Sequence, residues 1–555
     1  MNSTCVAASY LPTLMTYMTS LITEQTSAPT PIDLPDGGIF DFIVVGAGSA
    51  GCVVANRLSE ISNWSVLLLE AGGEEPFTAD VPSFLTYAIG SSMDWGIKTV
   101  PQNTSCGGKS CYWPRGNDGW SYEDVLPYFK KSENNLDADI AKNTRYHGVG
   151  GYLNVGRFPQ HDENAKAIHE AFREIGYGGI DFNTQTHRGV MAAQGTIRNG
   201  ERQSSNRAFL DPIRSKRSNL KVATGVMVKK VLIHPENNTA YGVEYALEKD
   251  RRKTGKLFAR KEIILSAGAV NSPHLLLLSG VGPKATLNSL NIPVIKDLNV
   301  GQNLQDHFSA PGVFFTLDEK ASKLPTNEDI LLDSLKYSAP QRSGPWSSIG
   351  VSSTCAKVNT RFADRSIDNP DVQLIFTTKN TCADSAMPIC YYNAINFHST
   401  LLRPKSRGYL TINNTDPFTQ PLIYPNYFTH PDDVDAILDS FNVVIHLGNT
   451  QALKDAGFTL NTTFLPTKED FETGKNPMWE NDGWFSFHHQ SGTCKMGPKS
   501  DKSAVVDPQL KVHGVEGLRV ADASIMPQVT SGNINAPCMM IGEKASDLIK
   551  NSWGR

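Results

Sequence analysis

Two adjacent histidines, His488 and His489, stand just ahead of the turn Gln490-Ser-Gly-Thr-Cys494. Imidazole changes charge nearest to neutral pH, so either ring could take a proton from a substrate. Either could equally be a hydrogen-bonded structural residue. Further on, Gly517-Leu-Arg-Val-Ala-Asp522 reads as a short strand ending on an acid. Ser531-Gly-Asn533-Ile-Asn535-Ala-Pro537 then reads as a turn opening a helix over Cys538–Ile549. A helix start preceded by glycine and asparagine can receive the polar edge of a ligand.

Near the other end, the apolar strand Asp41–Val45 runs directly into Gly46-Ala47-Gly48-Ser49-Ala50-Gly51, and Cys52–Leu58 looks like the helix that follows. Gly46 permits a tight turn, Gly48 lets the backbone approach phosphates, and Gly51 lets helix and strand pack closely. A second strand from Ser65 ends on Glu70, at the distance expected of a carboxylate that receives ribose hydroxyls. The unit suits NAD or FAD, and a glycine-rich turn in some other α/β protein is the plainer alternative. Ala259–Leu265 reads as a further strand, followed by a turn at Gly268 and a helix from His274 to Gly280 with Pro273 near its start.

The elements that position these residues belong to a chain of 555 residues, longer than one core usually grows, so two domains are expected. Charged residues make up 19%, mixed in sign with a net charge of -4, which argues against nucleic acid as a partner. With 40% hydrophobic residues and no repeat or low-complexity run, the chain should fold. No apolar run reaches membrane-spanning length; Ile263–Leu278 is interrupted by Ser, Asn, Pro and His. Cys5–Ile22 is mildly apolar and reads as a secretory signal or as a disordered arm. Sequons at Asn63, Asn103, Asn237, Asn413 and Asn461 lean toward a secreted or extracellular glycoprotein. On that route Cys106/Cys111 and Cys382/Cys390 could each close a small loop. Scattered histidines and the lack of CxxC leave a metal site unsupported.

Several longer stretches carry a family resemblance. They are Cys111-Tyr-Trp-Pro-Arg115-Gly, Gly119-Trp-Ser-Tyr-Glu-Asp-Val-Leu-Pro-Tyr-Phe-Lys-Lys-Ser-Glu133, Gly268–Gly280, Gly301-Gln-Asn-Leu-Gln-Asp-His307 and Leu401-Leu-Arg-Pro-Lys-Ser-Arg-Gly408. With the glycine turn and the C-terminal region, the chain resembles the glucose-methanol-choline (GMC) family of FAD oxidoreductases, in particular its insect glucose dehydrogenase-like members. The resemblance implies an α/β fold, with a Rossmann-like FAD-binding domain from residues 41–146, 198–307 and 487–555. A substrate domain with an antiparallel sheet would come from 147–197 and 308–486, after an arm of residues 1–40.

The same resemblance makes His489 the catalytic base and Asn533 its companion. It puts Gly46, Gly48, Ser49, Ala50, Gly51 and Glu70 on FAD, Val228 at the adenine through its backbone, and Asp522 beside the flavin's phosphate-ribityl region. It implies oxidation of the CH–OH group of a small-molecule alcohol, sugar or steroid by hydride transfer to flavin, with the electron acceptor left open.

One departure matters. Relatives follow Pro-Arg-Gly with a glycine- and serine-rich loop that closes over the flavin, whereas here Pro114-Arg115-Gly116 leads straight to Asn117-Asp118-Gly119-Trp120. Its loss should weaken FAD binding, and with it stability. That leaves a second expectation, an FAD-deficient, non-catalytic member acting in binding or structure. His307 reads as lying next to the flavin site or as a structural histidine. Tyr424–Pro431 reads as a loop capping a helix, and Trp95, Trp113 and Trp120 as packing residues.

Overall fold

The computed structural model describes residues 34, 36–91, 93–100, 117–382, 387–473, 476 and 485–555. Two sheets of seven strands each organise them. In the first, Leu220–Ala223, Val66–Leu69, Gly38–Val45 and Asp250–Leu265 lie side by side in parallel. Leu518–Val520 adds to the far end of the last strand, also in parallel. The meander Val226–His234 and Thr239–Leu247 continues antiparallel from its near end. Phe42–Val45, Val66–Leu69 and Ile263–Leu265 are buried throughout, as parallel strands covered on both faces must be.

Helix Ser49–Leu58 leaves the glycine turn and packs against the last helix, Asn535–Ser552. Gly542 makes that approach possible, since a Cβ there would meet the Ala50 carbonyl at 2.7 Å. Beside it Arg57 grips the fully buried Glu543 with two hydrogen bonds of 2.8 Å.

The helix expected from His274 begins earlier and spans Gly268–Leu278, with Gly268 at φ +82° turning the chain into it. Pro273 inside it has no N–H to give the Ala269 carbonyl. The Thr493 hydroxyl donates there instead, at 2.6 Å, so the proline does not break the helix. The last helix likewise starts at Asn535 rather than Cys538, because Pro537 falls in its first turn, where a missing N–H costs nothing.

The second sheet is antiparallel, in the order Phe458–Asn461, Phe308–Leu317, Ala394–Leu401, Val372–Lys379, Thr354–Val358, Gly189–Ala192, with Phe485–Ser486 also on Phe308–Leu317. Thr354–Val358 and the first half of Val372–Lys379 alternate, while Phe308–Leu317 shifts register between Ala310 and Val313. Ala356, Val358, Val372, Leu374, Phe376, Ile395 and Phe397 join a core with helices Glu163–Glu174 and Pro431–Gly448. Cys355, Lys357, Gln373, Ile375, His398 and Thr400 share the other face through the pairings Cys355–Ile375, Lys357–Gln373, Ile375–His398 and Gln373–Thr400. This is the expected α/β architecture, a Rossmann-like region with an antiparallel substrate sheet.

Three expectations meet corrections or limits. Cys382 is disulfide-bonded, but Cys390 is a free, buried thiol packed among Phe77, Phe84, Trp346 and Tyr391, so these two do not pair. Cys106/Cys111 and Trp113 lie outside the described residues. Trp120 packs on the first core and donates to the Pro508 carbonyl, whereas Trp95 is half exposed at 52%. Among the described residues no helix is long and apolar enough to cross a membrane.

Candidate active site

The glycine turn separates two kinds of glycine. A Cβ on Gly46 would meet the Ser266 carbonyl at 2.5 Å, and one on Gly51 would meet the Gly46 carbonyl at 1.9 Å, so the fold itself demands both. Gly48 is different: the nearest atom to its imagined Cβ is the Ser266 carbonyl at 3.9 Å. Among the described residues nothing comes closer, which suits a pyrophosphate lying over the backbone. Ser49, Ala50 and Gly51 follow as the first residues of the helix, where amide N–H groups lack intrahelical partners and favour an anion. Ser49 Oγ donates to Asn535 Oδ1 at 2.7 Å and ties this helix start to that of the last helix.

Glu70 is fixed at its strand end by two backbone amides, Ala47 N–H on Oε2 and Gly72 N–H on Oε1, both 2.7 Å. Each oxygen keeps a lone pair for a ribose hydroxyl. Val226 N–H donates to the Glu70 carbonyl at 2.8 Å, so Val228, two residues along the same strand, is brought to this corner with its side chain buried. Asp522 lies deeper. Its carboxylate accepts from Gly268 N–H, Ser272 Oγ and Ser524 N–H, and burial raises its proton affinity. It offers a cofactor a fixed Gly268 turn more than a bare oxygen. These residues fit FAD: open space over Gly48, orphan amides beside it and an oriented carboxylate at the ribose distance.

The structure also separates the two histidines. His488 is exposed at φ +58°, a left-handed kink that turns the next side chain inward, and His489 is 9% exposed. The His489 amide donates to Asp306 Oδ1 at 3.0 Å, and Asp306 Oδ2 accepts from Tyr427, Ser486 and Gln490. His489 Nδ1 lies 2.9 Å from His307 Nδ1, and His307 Nε2 lies 3.1 Å from the Leu402 carbonyl. Burial, opposed by the Leu402 carbonyl and reinforced by Lys357, pushes His307 down to about 4, and burial with the neighbouring His307 and His488 pushes His489 down to about 3, so both rings are neutral at pH 7.

Those contacts dictate the tautomers. A carbonyl only accepts, so His307 carries its hydrogen on Nε2 and its Nδ1 is an acceptor. His489 must then donate from Nδ1, which leaves its Nε2 as a bare lone pair. That nitrogen faces Asn533 Nδ2 at 3.5 Å, and Gln373 Nε2 lies 3.5 Å from Asn533 Oδ1, keeping the Asn533 amino group turned toward the imidazole. A proton acceptor and a hydrogen-bond donor thus address one point, where a hydroxyl oxygen could sit.

Sequence reasoning named His489, Asn533 and His307, and the structure brings all three together. It missed Gln373 and Lys357, which reach the Ser531–Asn533 turn from the substrate sheet, and gave no role to Arg403, which lies inside a recognised stretch just past the strand Ala394–Leu401 and reaches Ser531. The polar–apolar alternation of Thr354–Val358 and Val372–Lys379 was the available signal. Asp306 lay inside a recognised motif, and Tyr427 in a loop read as having no catalytic part. The junction after Gly116, where the resemblance implies a missing flavin-covering loop, adjoins residues outside those described.

A dinucleotide cradle on one sheet and a neutral, buried histidine at the polar face of another are compatible with an oxidoreductase that works through a bound flavin. The GMC oxidoreductase family matches residues 40–309 and 404–542, and the chain belongs to that family, whose cofactor is FAD. It is 41% identical over 558 residues to glucose dehydrogenase (FAD, quinone) of Drosophila melanogaster, spanning 93% of this chain and 87% of that one. It is 33% identical to ecdysone oxidase of Bombyx mori, over 94% of this chain and 83% of that one. Among solved structures, formate oxidase superposes with a TM-score of 0.80 at 26% identity, over 94% of this chain and 99% of the other.

Proposed function

We propose that the chain oxidises the CH–OH group of a small alcohol, sugar or steroid, with His489 as base. The observation that carries this reading is the bare Nε2 of His489, held neutral by burial and aimed at Asn533 Nδ2. His489 Nε2 accepts the hydroxyl proton as the O–H bond breaks. Asn533 Nδ2 donates to the same oxygen and steadies the charge that develops there. FAD, when bound, supplies the acceptor for the hydride that leaves the carbinol carbon. Gly46 to Gly51 and Glu70 hold its pyrophosphate and ribose, and Val228 its adenine through the backbone. Asp522 orders the turn beside its phosphate-ribityl part. The relatives named for glucose and ecdysone make an aldose the first substrate to try and a steroid alcohol the second.

The test is the visible spectrum of the purified protein, with FAD released on denaturation, followed by anaerobic reduction of the bound flavin by a panel of alcohols. Near-stoichiometric flavin bleached by an alcohol is the expected result. A colourless protein that takes up no added FAD would overturn the reading and leave the FAD-deficient binding protein in its place. We also assign the chain to the secretory route. In support, the sequon residues Asn63, Asn237 and Asn413 are exposed and Cys382 is in a disulfide. Protein from secreting eukaryotic cells whose mobility is unchanged by N-glycosidase would count against it.

A further inference from the structure

Two cations stand at the turn that carries Asn533, Lys357 from the polar face of the substrate sheet and Arg403 from just past the strand Ala394–Leu401. Lys357 Nζ donates to the Ser531 carbonyl at 3.0 Å and stands 5.0 Å from the Phe182 ring centre. Arg403 donates to the Pro370 and Asn369 carbonyls and, at 3.3 Å, to Ser531 Oγ. Neither forms an ion pair with a carboxylate among the described residues. Asp371, the acid nearest Arg403 in charge, is bonded to Thr360. Asp306 is surrounded by its own four donors. Burial lowers the proton affinity of both Lys357 and Arg403, which marks a desolvated charge that lacks full compensation.

An ammonium group has three hydrogens, and Lys357 uses one on Ser531, which leaves two for acceptors. Gln373, its cross-strand partner, reaches Asn533 only at 3.5 Å. Lys357, Arg403 and the Gln373 amide therefore gather at the Ser531–Asn533 turn, beside the point where the carbinol oxygen would sit, and Lys357 has N–H donors to spare for acceptor oxygens.

We propose, resting on the alcohol-oxidising reading above, that the substrate carries further acceptor oxygens next to the reacting carbinol. Lys357 reads them from the sheet face, and alcohols bearing a fixed positive charge are rejected. Vicinal hydroxyls and a carboxylate share this chemistry. A site built around such donors discriminates against a ligand that leaves them unpaired, and an added cation next to Lys357 and Arg403 meets like-charge repulsion.

The experiment uses the FAD-loaded full chain. Anaerobic flavin reduction is followed with an aldose, a sugar acid, benzyl alcohol and choline, and binding of each is read separately from the change in flavin fluorescence at equilibrium. The aldose or the sugar acid should exceed choline by at least roughly tenfold in kcat/KM. A carboxylate source makes the sugar acid the better of the two, and a polyol source the aldose. Lys357→Met should raise KM for the preferred compound by roughly tenfold while kcat stays within about threefold, because Lys357 touches neither His489 nor the reacting hydrogen. Flavin content certifies the fold of the variant, and Lys357→Gln is read in its place if Lys357→Met does not load. Equal KM values in wild type and variant for every alcohol, or choline as the best substrate, would overturn the proposal while leaving alcohol oxidation standing. If no alcohol reduces the flavin, the catalytic reading fails. Aldose or sugar-acid binding that still weakens in Lys357→Met would then uphold the oxygen-recognition site, and binding that does not would sink it as well.

Discussion

Two buried histidines in this molecule have been driven to opposite states. His489, 9% exposed, borders the second sheet's polar face, and its surroundings push it down to about 3. His147, 3% exposed, lies with Nδ1 2.9 Å from Glu133 Oε1 and Nε2 2.8 Å from Asp181 Oδ2, and these two carboxylates raise it to about 9. Burial lowers a histidine's proton affinity at both places; it prevails at His489, and at His147 the hydrogen bonds to Asp181 and Glu133 outweigh it. Flanked by two carboxylates, His147 is an imidazolium with both nitrogens donating and no lone pair left, which makes it a clamp between the strand Glu133–Asn135 and the loop at Asp181. Against a single histidine that itself donates to a carbonyl, His489 keeps one nitrogen unprotonated, which suits it to the role of base proposed above.

Removing each imidazole separates the roles. His489→Ala should slow flavin reduction by about 10²- to 10⁴-fold with FAD still bound, the range for losing a general base. Stopped-flow bleaching of the flavin measures it, and a loss below about tenfold would mean that the proton leaves by another route. His147→Phe should instead leave the reduction rate of the folded enzyme nearly unchanged. It should cost on the order of 3 kcal/mol of stability at neutral pH, because Glu133 and Asp181 lose the charge between them.

The same contrast fixes the sign of the pH response. Folded His147 binds its proton more tightly than the unfolded chain does, so its stabilisation is whole below about pH 6.5 and is lost as pH rises through about 9. His307 and His489 bind theirs less tightly when folded, so their contribution is whole above about pH 6.5 and is lost as pH falls toward about 4 and about 3. Thermal midpoints across pH should show both limbs, and His147→Phe should flatten the alkaline limb alone. An alkaline limb unchanged in that variant would remove His147 as its cause.

The proposed base in turn depends on a neighbour. His307→Phe removes the acceptor that holds the proton on His489 Nδ1 and should cost roughly 10- to 100-fold in flavin reduction, the usual effect of losing a partner that orients a functional histidine. His307→Asn places a carbonyl oxygen near the old Nδ1 and should recover part of that rate, with a pH profile closer to wild type. Equal losses in both variants would point to packing rather than to the tautomer.

What was legible in the sequence follows from how local each cause is. Gly46 and Gly51 are dictated by contacts within a few residues and with the adjoining strand, so the strand–turn–helix could be read from spacing. Glu70 follows from where the next strand ends. The choice between His488 and His489 came from the resemblance, since the left-handed kink at His488 has no sequence signature of its own. Tautomer control was out of reach: the deciding partner is the main-chain carbonyl of Leu402, 95 residues from His307, and any residue type would supply it. Lys357 and Gln373 stayed hidden because their meaning arises only when the sheet face is set against a turn some 160 residues away. The Cys382/Cys390 pairing failed for the converse reason. Nearness in sequence suggested a loop, but packing took Cys390 into an aromatic cluster.

The smallest expected effect tests how far the support of His489 extends. Tyr427 donates to Asp306, which in turn receives the His489 amide, and its ring stacks on Phe308 at 3.8 Å. Tyr427→Phe keeps the stacking and deletes one donor of four, since Ser486, Gln490 and the His489 amide remain. The cost should be about 1–2 kcal/mol of stability, with kcat changed by no more than about threefold. If kcat instead falls as far as in His489→Ala, the Asp306 carboxylate must act on the chemistry directly. The difference between the two histidines would then rest on a third charge, outside the imidazole pair.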